Sequence, residues 1–178
     1  MPGFISVSGG KLTTYRSMAA EVVDAAERSL GRRHVRAITA RRYLPGGDLG
    51  SLEAAISRAA GETGDALVAE RLVRAYGSNW RQVWAIAGRE PLLGARVTPE
   101  RPYVLAELRH AVEAEMAMTL GDLLIRRTPV AFEAVDHGRS AARRVLELVR
   151  GWLGERREWE SQALEAYEVE VDRMFAVG

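Results

Sequence analysis

Apolar residues recur along this chain at helical spacing almost from end to end. The first periodic run is Leu12, Tyr15, Met18, Ala19, Val22, Val23, Ala26 and Leu30. Steps of mostly three and four place these residues on one face of a helix, and Gly31 is a natural stop. Just before it, Phe4-Ile5-Ser6-Val7-Ser8 mixes apolar with polar residues and contains two β-branched ones, which predicts a short strand. Gly9-Gly10 then breaks the pattern, so the chain is expected to open as strand, glycine turn, helix. Residues 31–50 show no period. Gly31-Arg32-Arg33-His34 and Leu44-Pro45-Gly46-Gly47-Asp48 carry turn residues and arginines, and the stretch reads as a linker to a second unit.

Beyond Asp48 the pattern is helical. Asp48 is a candidate cap for a helix over about 50–60, and Gly64-Asp65 begins another that ends at Tyr76-Gly77. Ser78 or Asn79 caps a third, carrying Trp80, Val83, Trp84 and Ile86 and ending near Gly88. Pro91, Pro99 and Pro102 mark a loop over 89–103. A helix follows over 104–118. Thr119 with Asp122 resembles a capping box for a short helix through Leu123, Leu124 and Ile125, closed by Pro129. The last two helices are expected over 137–153 and 155–175. No internal repeat or low-complexity segment interrupts the series.

Composition narrows the class. The chain has 178 residues, 47% hydrophobic and 28% charged, an ordinary globular balance with room for one substantial core. Its 25 basic and 24 acidic residues give a net charge of +1, so no global field favours nucleic acid or an anionic membrane. A DNA-binding reading of the short helices at 65–88 fails on the same ground. No apolar run approaches the roughly 18 residues that span a bilayer, and residues 1–10 do not form a secretory signal. There are no cysteines, which excludes disulfides, thiolate metal sites and cysteine nucleophiles.

Candidate chemistry lies in Gly9-Gly10-Lys11-Leu12-Thr13-Thr14-Tyr15-Arg16. Two glycines permit a tight turn and close approach of a ligand to the backbone. The first amides of the following helix lack helical partners and carry the positive end of its dipole, which favours an anionic group. Lys11 adds a charge, and Thr13 and Thr14 add hydroxyls. A phosphate, or a delocalised ring that becomes anionic, suits this arrangement; so does a plain turn followed by an exposed first helical turn. The segment is neither a Walker A loop nor a Gly-x-Gly-x-x-Gly fingerprint.

The same residues, Ser8 to Arg16, resemble the Gly-Gly-Lys-x-Thr-Thr-Tyr-Arg signature of FAD-dependent glycerol-3-phosphate dehydrogenases. Tyr43-Leu44-Pro45-Gly46-Gly47-Asp48 is similar to that family's Leu-Pro-Gly-Gly segment, and Leu72–Gly77 to its Leu-x-x-x-Tyr-Gly helix end. Glu107–Val112 and Glu115–Thr128 resemble its C-terminal helical domain. The likeness spans about residues 3–150. It implies a mainly α chain: a strand–turn–helix remnant of an FAD-binding α/β domain over 1–40, then a helical C-terminal accessory domain over 41–178. It also implies oxidation of sn-glycerol 3-phosphate to dihydroxyacetone phosphate, with hydride passing to FAD and electrons to a quinone, at the inner face of the cell membrane or in the cytoplasm. Gly9 and Gly10 would lie against the isoalloxazine ring, with the amides of Lys11, Leu12 and Thr13 facing its pyrimidine side. Lys11 is the expected catalytic residue, beside flavin and substrate. Arg16 reads as structural.

Family members carry a Rossmann-type FAD domain ahead of this signature. The chain is therefore expected to be a truncated product, a mis-called gene start or one half of a split enzyme, inactive alone. A complementing FAD-domain chain, a homo-oligomer and poor solubility from an uncovered apolar face are the corresponding expectations. A non-catalytic helical interaction module is the competing reading. His110 with Glu113 has the i, i+3 spacing of metal ligands, but a solvated helix face is the better account and no metal site is expected. Asp136 and His137 read as a helix cap. Arg126 and Arg127 suit a helix C-terminus. Trp80, Trp84, Trp152 and Trp159 read as packing residues. Arg139, Arg143 and Arg144 read as the solvated side of a helix.

Overall fold

A computed structural model describes residues 3–153 and 157–176; the side chain of Trp159 lies outside what it describes. The chain divides into two compact units, Met1–Leu44 and Pro45–Gly178.

In the first unit a short 3-10 turn, Leu12–Thr14, leads into α1 (Tyr15–Ser29). Gly31, at φ +65°, ends the helix as expected. Its amide donates to the Arg28 carbonyl, and that of Arg32 to the Glu27 carbonyl at 2.8 Å, the paired bonds of a Schellman cap. The expected strand over 4–8 does not form, and no strand forms among the described residues. The physical reason is pairing: an extended segment becomes a strand only when a neighbour takes its amides and carbonyls, and this unit offers none. Nor does the apolar face of α1 find a core. No residue of α1 is buried, and Leu12 is 86% exposed.

The second unit is an all-helical body. Ser51 caps α2 (Leu52–Thr63), its hydroxyl accepting from the Ala54 amide at 3.2 Å. Asp48, the expected cap, instead accepts a hydrogen bond from the Ser78 hydroxyl. Gly64, at φ +70°, closes α2, and Asp65 caps α3 (Ala66–Tyr76) by accepting from the amides of Leu67 and Val68. With so short a turn the two helices pack against each other, and the small Ala55 and Ala59 of α2 are fully buried. α4 (Trp80–Arg89) starts without a side-chain cap, contrary to the expectation for Ser78 or Asn79. A 3-10 turn, Gly77–Asn79, runs straight into it and supplies the entry geometry.

α5 (Leu105–Ala114) is the central helix. It buries Leu105, Ala106, Leu108 and Ala111 and packs against α4 and α7 (Arg139–Leu153). It stops four residues short of the expected 118, because Met116 takes a left-handed φ of +59° that a helix cannot accommodate. Thr119 and Asp122 form the expected reciprocal cap: the Asp122 amide donates to Thr119 Oγ1, and the Thr119 amide to Asp122 Oδ2, both at 3.0 Å. The helix so begun passes into a π-helical turn, Asp122–Arg127, which turns Leu123, Leu124 and Ile125 into the core. A short α6 (Val130–Glu133) follows Pro129. The Asp136 carboxylate accepts from the amides of Gly138 and Ser140 and so caps the entry to α7, as the sequence predicts. α8 (Arg157–Phe175) packs on α7. Its Tyr167 is buried and donates to the His137 carbonyl at 2.7 Å.

Candidate functional site

The glycine turn of the first unit is exposed, with Gly9 backed by the Met18 side chain, whose Cε a Cβ on Gly9 would meet at 2.6 Å. Gly9, Gly10, Lys11, Leu12 and Thr13 are all exposed. The Thr14 amide closes the first turn onto the Lys11 carbonyl at 3.0 Å, and the Thr14 hydroxyl donates to the same oxygen. Ahead of that bond, the amides of Lys11, Leu12 and Thr13 stand at the helix entrance, where no intrahelical acceptor exists. Lys11 makes no ion pair with a described residue. A Cβ added to Gly10 would meet nothing within 4 Å. An apolar groove of about 490 Å³ runs beside the turn, lined by Val7, Leu12, Tyr15, Met18 and Val22 among others.

Asp24, Glu27 and His34 gather at the other end of α1, a grouping that sequence spacing did not signal. His34 Nδ1 stands 3.3 Å from Asp24 and 3.9 Å from Glu27, while the Val35 amide donates to Glu27. These contacts fold the post-helix loop back onto α1.

In the second unit, two segments singled out by sequence interlock. Gly46 and Gly77 both have positive φ, +86° and +57°. A side chain on Gly77 would collide with the Gly46 carbonyl, and one on Gly46 would come within 2.5 Å of the Tyr76 carbonyl. The Ser78 amide donates to the Gly46 carbonyl at 2.9 Å. Glycine is required at both positions because two backbones cross without room for a Cβ.

Beneath this crossing lies a buried polar network. Glu107 is fully buried yet ionisable. Its carboxylate lies 3.0 Å from the Arg71 guanidinium, accepts from Tyr76 Oη at 3.2 Å, and accepts from the Val104 amide at 3.1 Å. Burial pushes the Glu107 carboxyl above the usual range, partly offset by Arg71. Burial, followed by the Glu107 charge, likewise raises the Tyr76 phenol. Arg71 also lies over the Tyr103 ring at 4.7 Å. Tyr76 meets His110 edge-on at 5.5 Å. His110 therefore faces this network, while Glu113 pairs with Arg109 at 2.6 Å.

Several other cations act between elements. Arg139 and Arg143 bridge to Glu168 of α8 at 2.8 and 2.5 Å, so this side of α7 also forms a helix–helix seam, while Arg143 and Arg144 stay exposed as expected. Arg126 pairs with Asp122 and Glu170, and Arg127 donates to the Glu115 carbonyl. Trp80 is buried, whereas Trp84 and Trp152 pack at the core's edge.

A helical body built on its own core, following an open glycine turn and helix, places the chain in the class of helical accessory domains. It belongs to the family of the C-terminal domain of alpha-glycerophosphate oxidase, whose model matches residues 37–162. The mitochondrial glycerol-3-phosphate dehydrogenase of Bos taurus is 32% identical over 177 residues, covering 97% of this chain and 24% of that protein. The glycerol-3-phosphate dehydrogenase of Synechocystis is 34% identical over 168 residues, covering 92% of this chain and 30% of that protein. Among solved structures, the glycerol-3-phosphate dehydrogenase from Bacillus halodurans complexed with FAD is similar at a TM-score of 0.74 and 27% identity, over 96% of this chain and 36% of that one. The chain thus spans about a quarter to a third of the length of these proteins.

Proposed function

We propose that this chain is the C-terminal part of an FAD-dependent enzyme that oxidises sn-glycerol 3-phosphate to dihydroxyacetone phosphate, and that residues 9–13 form one wall of its flavin site. The observation that carries the reading is the glycine turn itself, with an uncovered helix entrance directly after it. A flat ring edge fits there: Gly10 presents no side chain, and nothing described stands within 4 Å of where one would be. FAD, when bound, supplies the acceptor for the hydride that leaves the central carbon of the substrate. The chain's own contribution is electrostatic. With FAD bound, the amides of Lys11, Leu12 and Thr13 would present fixed partial positive charge to the ring, suited to stabilising an anionic reduced form without reorganisation. Lys11 would supply a positive charge beside the substrate oxygen.

The exposed apolar face of α1 supports the same reading, since a helix of that pattern is built to be covered. A dinucleotide-binding domain, in the same polypeptide or in a complementing chain, is the proposed cover. A quinone is the proposed acceptor of the electrons, reached peripherally at the inner membrane face. No described helix is long and apolar enough to cross a membrane.

The 178-residue chain by itself, when purified, is expected to be colourless, to take up no FAD, and to leave glycerol 3-phosphate unoxidised. Visible absorbance before and after adding FAD, then substrate, checks this. A yellow chain that bleaches with glycerol 3-phosphate would show that it completes the site unaided.

A further inference from the structure

The residues of the glycine turn are exposed, yet one side chain stands behind them. Met18, in the first turns of α1, is only partly exposed. Its Cε lies so close behind Gly9 that a Cβ there would meet it at 2.6 Å, and its Sδ at 3.6 Å. The same sulfur lies 3.4 Å from the Thr14 hydroxyl. That hydroxyl has a single hydrogen, and the Lys11 carbonyl, 2.8 Å away, is a much stronger acceptor than a thioether. The hydrogen therefore goes to the carbonyl. The sulfur packs against the hydroxyl oxygen and holds the side chain in that rotamer.

The Lys11 carbonyl thus receives two donors, the Thr14 amide at 3.0 Å and the Thr14 hydroxyl at 2.8 Å, which uses both of its lone pairs. A trans peptide sets a carbonyl oxygen and the next N–H on opposite sides of one plane. Fixing the Lys11 carbonyl inward, toward the helix, therefore aims the Leu12 amide outward from the helix entrance. Gly10 carries no side chain into the space ahead of it.

We infer that Met18 is a positioning residue for this wall: its thioether backs Gly9 and seats the Thr14 hydroxyl on the Lys11 carbonyl, and so holds the Leu12 amide in its outward direction. The inference rests on the reading of residues 9–13 as one wall of a flavin site. Met18 acts there through Gly9 and Thr14. Its contribution is to hold a donor already turned toward the ring, so that no free energy is spent on turning it when charge arrives.

The test is an anaerobic redox titration of the visible flavin band, with this chain replacing the matching C-terminal stretch of the Synechocystis relative. Met18→Ala opens space behind Gly9, and Thr14→Val removes the hydroxyl at constant shape. Each should make flavin reduction about tenfold less favourable, about 30 mV lower for a two-electron couple. Met18→Leu keeps the bulk behind Gly9 and Thr14→Ser keeps the hydroxyl, so both should retain the parent potential. The inference is overturned if Met18→Ala or Thr14→Val holds flavin at the parent potential, or if a conservative variant shifts it as far as its partner does; the flavin-wall reading would survive either result. A chimera that holds no flavin would overturn that reading, and the role of Met18 with it.

Discussion

Glu107 shows how much of this fold rests on single side chains. It sits at the third position of α5, where its carboxylate takes the Val104 amide and half-closes a capping box. The other oxygen meets Arg71 and Tyr76 on α3, so one residue both starts a helix and ties two helices together. The network is incompletely satisfied, because Arg71 Nε is buried without a partner. Such a pair adds little net stability when intact, yet removing one member strands the other charge in the core. Glu107→Ala is therefore expected to lower unfolding free energy by about 3–5 kcal/mol, the range for a broken buried pair. Urea denaturation followed by helical circular dichroism would measure it. A loss near that of an exposed helical glutamate would mean that water reaches Arg71. The cluster was hard to read from sequence, since Glu107-Leu108-Arg109-His110 has the look of a solvated helix face and Val104 is not a capping residue type.

At the level of elements, the helices legible in advance were those whose ends carry local chemistry. Gly31, Gly64, Asp65, Thr119 with Asp122, and Asp136 each act within a turn or so of their own position, so spacing alone revealed them. The misreadings have longer-range causes. Asp48 was diverted from α2 by Ser78, thirty residues away. The strand over 4–8 needed a partner that the unit does not contain. The interlock of Gly46 with Gly77 was visible only as two separate glycine signals, because nothing in a linear pattern says that two backbones will cross. Asp65 provides a test at this scale. Its hydrogen bond with Arg96, above all, holds its carboxyl below the ordinary value despite partial burial. A carboxyl depressed in the folded state contributes stability that is present above its unfolded pKa of about 4 and is lost as pH falls through the folded value. Asp65→Asn keeps a capping oxygen but not the charge. Its stability should accordingly fall less steeply than the parent's as pH drops below about 4. Parallel acid-dependent urea transitions would show it, and identical slopes would remove Asp65 from the acid response.

Across the whole molecule, the two units contrast in how they are held. The second has a continuous buried core running from Ala55 to Val171, enough to specify its fold alone. The first places Phe4, Leu12, Tyr15, Val23, Leu30 and Val35 in solvent and buries none of α1. An amphipathic helix without a covered face is the mark of an element whose partner lies elsewhere. The family relationship and the glycine turn are the grounds for the proposed flavin-binding partner, with Lys11 as its proposed contact. The direct trial is to graft this chain in place of the matching C-terminal stretch of the Synechocystis relative and follow the visible flavin band after anaerobic addition of glycerol 3-phosphate. The account predicts that the chimera holds flavin and is bleached by substrate. It also predicts that Lys11→Met holds flavin but bleaches about 100-fold more slowly, the scale of losing one charge-stabilising donor. A chimera that carries flavin and is not bleached by glycerol 3-phosphate would contradict it.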